Sequence, residues 1–433
     1  MSLTKTVGFF AGTTLAIGGA AFGAENEFAS EIASLRAEIA QLKGDNWLTE
    51  QRAAEIRGIV TDVLADADTR ASLQGSGANA GYDGGFFISS SDGNFSLKLN
   101  ILEQIRYTFN DRGGSPASPG KAQTYGFENK RTRVTWSGNI VDSTWSYNIE
   151  TYFAYSNNQE GFDGILGNAY VAKDMGNGMS LTFGSFRLPF AAEYAIDAGN
   201  LQFNDFSPVL WQFNTGYAQG VMLGYAADMF RVNVAFTNGE NTGDSGWTNG
   251  SPSAEYAFTG RADVKFAGTW EQFNDAQSWQ GDEMGFKVGG GVSWQQANDN
   301  ALDTGKEFAI TLDATAEFGG ANVFAAYYYV DDEDVDANQQ GFSIGGGFFL
   351  SEDFEIVARW DAYDSDSGAN SEVNTLTFGG NWYLAKNTAK FGANVGYAFD
   401  GVPANFGTSA NWLEDASTED GQWFIQGQLS FSF

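Results

Sequence analysis

From Phe86 to Phe433, apolar and polar residues alternate with a period of two, the spacing of β-strands whose two faces meet different surroundings. Phe95, Leu97, Leu99 and Ile101 alternate with Ser96, Lys98 and Asn100, and Phe391, Ala393, Val395, Tyr397 and Phe399 with Gly392, Asn394, Gly396 and Ala398. Trp145, Tyr147, Ile149 and Thr151 alternate in the same way with Ser146, Asn148 and Glu150. Sixteen such strands are predicted, the first near 95–109 and the last over 422–433. Their connections alternate between tight turns, such as Val141-Asp142, Asp228-Met229, Gly319-Gly320 and Ser351-Glu352, and much longer loops. Short periplasmic turns, long external loops and an even strand count describe a bacterial outer-membrane barrel. The expected fold is therefore an all-β, transmembrane, antiparallel barrel of about sixteen strands over residues 86–433. By parity the stretch Gly268 to Glu283 is a periplasmic turn, yet it is long, which leaves the strand count around 267–284 open.

The segments ahead of the barrel follow other rules. Val7 to Ala24 is apolar but diluted by glycine, follows Lys5, and ends in Ala21-Phe22-Gly23, so residues 1–23 read as a signal peptide. Phe28, Ile32, Leu35, Ile39 and Leu42 are spaced four, three, four, three, an a/d seam of about two heptads. A second amphipathic helix is expected from Thr49, carrying Ile56, Ile59 and Val63. Residues 24–74 thus form a short helical, coiled-coil segment on the periplasmic side, joined by a Gly/Ser/Asn-rich linker over 75–85.

Composition narrows the function. Aromatic residues make up 15% of the chain and Gly has 55 copies, as strands facing lipid on one side and water on the other require. Cys and His are both absent, which removes disulfides, thiolate and imidazole metal sites, and every nucleophile that needs a His base. No catalysis and no cofactor are expected. A formal net charge of −31 argues against nucleic acid as a partner. The acids crowd into runs such as Asp331 to Asp336 and Asp361 to Asp366, which read as solvated loop surface.

Alternation places Lys98, Arg106, Arg131, Arg133, Arg231, Arg261, Lys265, Lys287 and Arg359 on the polar, lumen-facing side, with Glu150, Asp263, Asp313, Glu317 and Asp361 among them. Opposite charges across a passage favour hydrated polar solutes in general, whereas a ring of one sign selects ions. Glu103 falls on the apolar face, implying a bulge at Leu102 or a subunit interface over this strand. The final strand, Trp423 to Phe433, alternates and ends on Phe431 and Phe433, the form of an insertion signal read by the barrel-assembly machinery.

Three segments resemble the phosphate-selective porin O and P family: Phe127 to Gly138 with its basic Lys130-Arg131-Thr132-Arg133, Gly184-Ser185-Phe186-Arg187-Leu188-Pro189-Phe190-Ala191-Ala192-Glu193, and Gly220 to Tyr225 running into Phe236-Thr237-Asn238-Gly239. The resemblance implies a homotrimer of sixteen-stranded barrels with a constricting third external loop, which by the strand count is Leu188 to Gly216. It also implies pore-lining roles for Arg131, Arg133 and Arg187. The expected function is passive diffusion of small hydrophilic solutes or ions, including anions, through a water-filled barrel in outer-membrane lipid. The alternative is a plugged structural barrel whose N-terminal segment ties the membrane to the cell wall.

Overall fold

The computed structural model describes residues 30–38, 58, 61, 78–112, 122–153, 165–242, 254–296, 306–332, 337–365, 371–403, 406, 412–415 and 421–433. The chain divides into two units, Met1–Gly77 and Ala78–Phe433. In the first, residues 30–38 are helical and Ile32 and Leu35 lie exposed on them. Phe28, Ile39 and Leu42 of the seam, and most of the second helix, lie outside the described residues.

The second unit is a closed antiparallel barrel. A hairpin of β1 (Asn79–Tyr82) and β2 (Phe86–Ser89) leads into it, so part of the stretch read as linker is strand. The barrel itself runs through β3 (Ser96–Asp111), β4 (Gln123–Ile140), β5 (Asp142–Tyr152), β6 (Ile165–Gly176), β7 (Met179–Arg187), β8 (Tyr217–Ala226), β9 (Phe230–Thr237) and β10 (Tyr256–Ala267). It continues with β11 (Gly285–Gln296), β12 (Lys306–Glu317), β13 (Ala321–Asp332), β14 (Ala337–Ser351), β15 (Phe354–Asp364), β16 (Glu372–Ala385), β17 (Ala389–Ala398) and β18 (Trp423–Ser432). Each strand pairs with the next, and β18 pairs with β3 from Trp423↔Asp111 to Ser432↔Leu102. Sixteen strands thus close on themselves, leaving no open edge, which is the condition for a sheet to stand in hydrocarbon.

Outward positions carry the apolar series. Phe183, Leu223, Phe236, Phe258, Leu312, Trp382, Val395, Ile425 and Leu429 are all exposed, a band that water would penalise and lipid tails accept. Phe431 and Phe433 lie on the same face, and Phe433 exchanges backbone hydrogen bonds with Ile101 at 2.7 and 3.0 Å.

Two features differ from strict alternation. The β3–β4 register runs Gln104↔Arg131 and then Ile105↔Asn129, so Lys130 is an extra residue in β4. The bulge is therefore here and not at Leu102, and it turns both Lys130 and Arg131 toward the lumen, where each is buried. Glu103 does face outward, opposite Thr132, whose hydroxyl donates to its carboxylate at 2.7 Å. The second feature is the β10–β11 turn, residues 268–284, with a short 3-10 turn at Gln272–Asn274. It hydrogen-bonds inside the barrel and does not add strands: Ala276 N–H donates to Asn200 O, Asn322 Nδ2 to Ala276 O, and Gln277 Nε2 to Leu201 O.

Candidate functional site: a pinned loop and the cavities beside it

Between β7 and β8 the chain folds into the lumen. This third long loop, from Leu188 to Gly216, is closed at its neck by Leu188 N–H donating to Gly216 O at 3.0 Å. It contains a helical turn at Ala192–Ala195 and a second at Pro208–Gln212, where Pro208 opens the helix and the Ser207 hydroxyl accepts from Leu210 N–H. Its apolar residues Phe190, Leu201, Phe206, Val209, Leu210 and Phe213 form the main buried cluster with Ala309, Tyr328, Tyr363 and Phe424 of the wall. Phe213 stacks on Tyr328 with ring centres 5.4 Å apart. Val402, Phe406 and Trp412, from the β17–β18 loop, join the same cluster. The loop therefore fills the side of the lumen formed by β12 to β18.

Glycine makes that approach possible. A Cβ on Gly291 would stand 2.4 Å from Phe190 O, and one on Gly341 2.5 Å from Val209 and 2.6 Å from Phe213. Side-chain-free positions on the inner wall are what let a loop lie directly on a sheet.

Charge then fixes the loop. Asp205 accepts from Arg131 at 2.8 Å and from Arg106 at 3.0 Å, with Lys130 at 3.3 Å. Arg106 also donates to Asn204 O, and Arg131 to Gln104 Oε1 at 2.9 Å. Burial opposes ionisation of Asp205, but Arg131, Lys130 and Arg106 together hold its carboxyl far below the usual carboxylate range. From the opposite wall, Arg359 donates to Asp205 O and Phe206 O and pairs with Asp361 at 2.9 Å. Arg261 donates to Phe190 O at 2.8 Å while pairing with Asp263 at 2.6 Å and Asp313 at 2.8 Å. Glu193 accepts from Ser207 N–H at 2.7 Å, and burial raises its carboxyl to about 7 despite Arg359 at 3.9 Å.

Toward β3 to β11 the lumen stays polar. One cavity of ≈ 410 Å³ is bounded by Arg133, Glu150, Arg187 and Asp197, with Asn100, Thr135, Ser137 and Asn148. Arg133 pairs with Asp197 at 2.6 Å and lies 3.8 Å from Glu150. Burial works against the Asp197 charge, but Arg133 and Arg187 keep its carboxyl below the usual range. Glu150 accepts from the hydroxyls of Tyr152 and Tyr217, each at 2.8 Å. Arg187 donates to Tyr217 and to Tyr194 O, and stacks over the Tyr194 ring. A second cavity, of ≈ 260 Å³, shares Arg187 and Ala195 with the first and is bounded by Arg231, Arg261, Asp263 and Lys287 beneath the β10–β11 turn.

The charged residues marked by alternation therefore separate by place. Arg106, Arg131 and Arg359 touch the loop, Arg133, Arg187 and Arg261 both touch it and border a cavity, and Glu150 and Asp263 border the cavities. Lys265 donates to Gly268 O and Lys98 is half-buried near the β1–β2 hairpin. Glu317 accepts from Gln272 in the turn at 2.7 Å. Asp205 and Asp197 carry no periodic signal because they sit in a loop, and Lys130 is hidden from a period of two by the bulge.

A closed sixteen-stranded antiparallel barrel, with the loop after its fifth strand folded into the lumen, is the fold of the outer-membrane porins. Among solved structures, the chain is similar to OmpF of Salmonella typhi (12% identity, TM-score 0.55, covering 82% of this chain and 100% of that one). It is similar also to an anion-selective porin from Comamonas acidovorans (13%, 0.54, 78% and 99%) and to OprB of Pseudomonas putida (10%, 0.54, 78% and 94%). No protein-family model and no curated protein sequence matches it. At these identities the likeness is one of fold.

Proposed function

We propose that this chain is a porin of the outer membrane through which small hydrophilic solutes and ions diffuse down their gradients. The observation that carries this reading is the pair of cavities left beside the pinned loop, each bounded by charges of both signs. Such a wall replaces part of a hydrated solute's shell without holding it firmly. Export through the 1–23 signal, insertion by the barrel-assembly machinery at Phe431 and Phe433, and assembly as a homotrimer complete the proposal. Residues 24–74 would then stand on the periplasmic side, toward the cell wall.

A finer reading, that anions are favoured, has its own support. Beyond Arg261, which is taken up by Asp263 and Asp313, the cavities are bordered by Arg133, Arg187, Arg231 and Lys287 against Glu150 and Asp197, four cations to two carboxylates. Resemblance to the phosphate-selective porins agrees with Arg133 and Arg187 in these positions, while Arg131 is engaged by Asp205. Purified protein in a planar bilayer should conduct in discrete steps, and a salt gradient should give a reversal potential on the anion side. Complete absence of conductance steps would replace this reading by the structural barrel whose lumen is closed.

A further inference from the structure

The cavity beneath the β10–β11 turn has a composition that general diffusion does not ask for. Resting on the reading of the barrel as a pore, we propose that this cavity is a binding site for small carboxylates with an apolar, aromatic body, of which benzoate is the simplest.

The first ground is charge without a partner. Arg261 takes both of the neighbouring carboxylates, Asp263 at 2.6 Å and Asp313 at 2.8 Å. Asp263 stands directly opposite Arg231 in the sheet, yet its oxygens turn to Arg261, which holds them through both Nε and Nη2. Among the described residues, the side chains of Arg231 and Lys287 make no ion pair within 4 Å and no hydrogen bond, although the Asp263 carboxylate acts on both at longer range; each lies over a ring, Arg231 over Trp270 at 4.4 Å and Lys287 over Phe273 at 5.0 Å. Stacking uses the face of a guanidinium and leaves the N–H donors on its edge unspent. Lys265 and Lys287 face each other across β10 and β11, a like-charge pair that Asp228, 3.6 Å from Lys265, offsets in part.

The second ground is shape. Gly289, in the same row as Asp263 and Arg231, has no side chain, and a Cβ there would meet Arg261 and Asp263 at 2.3 Å. The Arg261–Asp263 pair thus lies over Gly289, and Arg231 on β9 and Lys287 on β11 stand on either side of it, two strand spacings of about 5 Å each apart across the sheet. The rest of the cavity is not polar: Leu188, Pro189, Ala192 and Ile196 of the pinned loop and Met222 of β8 close it. Inorganic phosphate or a hydrated halide gains nothing from that side. A ring can lie there while its carboxylate takes the free donors of Arg231 and the ammonium of Lys287, each a charge-assisted contact in a partly dry site.

Titration calorimetry on the folded protein in detergent tests this without requiring conduction, with sodium benzoate, acetate, inorganic phosphate and benzyl alcohol as probes. Benzoate should bind, and acetate and benzyl alcohol, each lacking one half of the ligand, should bind more weakly by about tenfold or more. R231Q/K287Q should weaken benzoate by a similar factor, and W270A should weaken benzoate more than acetate. Heat-shifted gel mobility confirms the folded barrel in each variant. Phosphate binding as tight as benzoate, or wild-type benzoate no tighter than benzyl alcohol, overturns the proposal without any variant. A protein that binds benzoate but never conducts would instead overturn the pore reading and leave this site standing.

Discussion

Replacing Asp205 by Asn removes the carboxylate from a buried set of three cations and tests whether charge fixes the lumen loop. Asp205 meets Arg131, Arg106 and Lys130 at 2.8, 3.0 and 3.3 Å, and all four groups are buried. Breaking a buried ion pair from one side costs about 3–5 kcal/mol, because the remaining charge keeps its desolvation penalty. That shifts the docked-to-released equilibrium of the loop by roughly two to four powers of ten. Packing of Phe206, Val209 and Phe213 in the apolar cluster is untouched, so the barrel should fold while the loop loosens. Single-channel recording should then show added current noise and subconductance levels, and a protease added to folded protein should cut between Leu188 and Gly216. D228N is the control, since Asp228 reaches Lys265 at 3.6 Å but is 94% exposed, where screening leaves little to lose. D205N with the noise, conductance and protease resistance of wild type would refute the account, and packing alone would hold the loop.

Two further outcomes follow from the same geometry. Glu193 is raised by burial to about 7 from an ordinary 4.5, so between those values the folded chain keeps a proton that the unfolded chain has lost. Stability should fall by about 3 kcal/mol as pH rises from 4.5 through 7, a loss that E193Q should abolish and that denaturant midpoints at pH 5 and pH 8 can read. Arg359 and Asp361 on β15, Tyr328 on β13 and the Ser207 amide are the groups facing it, and an equal slope in E193Q would place the titration elsewhere. Asp205 acts in the opposite sense: its depressed carboxyl contributes stability above the ordinary range and loses it only in strong acid. R133Q, which removes a cavity charge held by Asp197 at 2.6 Å, should move the reversal potential toward cations, whereas R131Q should behave like D205N. An unmoved potential in R133Q would mean that the Arg133–Asp197 pair contributes no net field.

How far the sequence reveals this arrangement depends on whether a residue's role is periodic. Strand number, closure and the outward aromatic band are read from alternation because lipid and water differ so much that every second residue must obey them. The bulge at Lys130 is not, since it inverts the parity of β4, so that Tyr125 and Phe127 face outward at odd positions and Val134 and Trp136 at even ones, and one unbroken period of two cannot describe both halves. Nor are Asp205 and Asp197, whose partners lie on strands far along the chain. The long stretch 268–284 is visible as an anomaly of length, but its inward fold depends on Asn200, Leu201 and Asn322, which no local rule connects. Glycine abundance gives a signal open to two readings. Strand breaks and close contact look alike until Gly291 and Gly341 are seen beneath Phe190, Val209 and Phe213.

The same separation bears on how a chain of net charge −31 can border its lumen cavities with arginine and lysine. Exposed loop acids act on a solute only within about 8–10 Å at physiological ionic strength, because mobile ions screen them. Charges within a narrow passage are screened less and their field is focused by apolar walls. The lumen cations divide into two groups by what they touch. Arg106, Arg131, Arg261 and Arg359 spend their charge on carboxylates or loop carbonyls, so they set the shape of the passage. Among the described residues, the side chains of Arg231 and Lys287 lie against rings with no ion pair, so their charge is less spent than that of the first group. Neutralising the first group should change conductance and stability with little effect on selectivity, and neutralising the second should do the reverse. A substitution in either group that moved both properties together would show that loop position and field are one variable in this barrel.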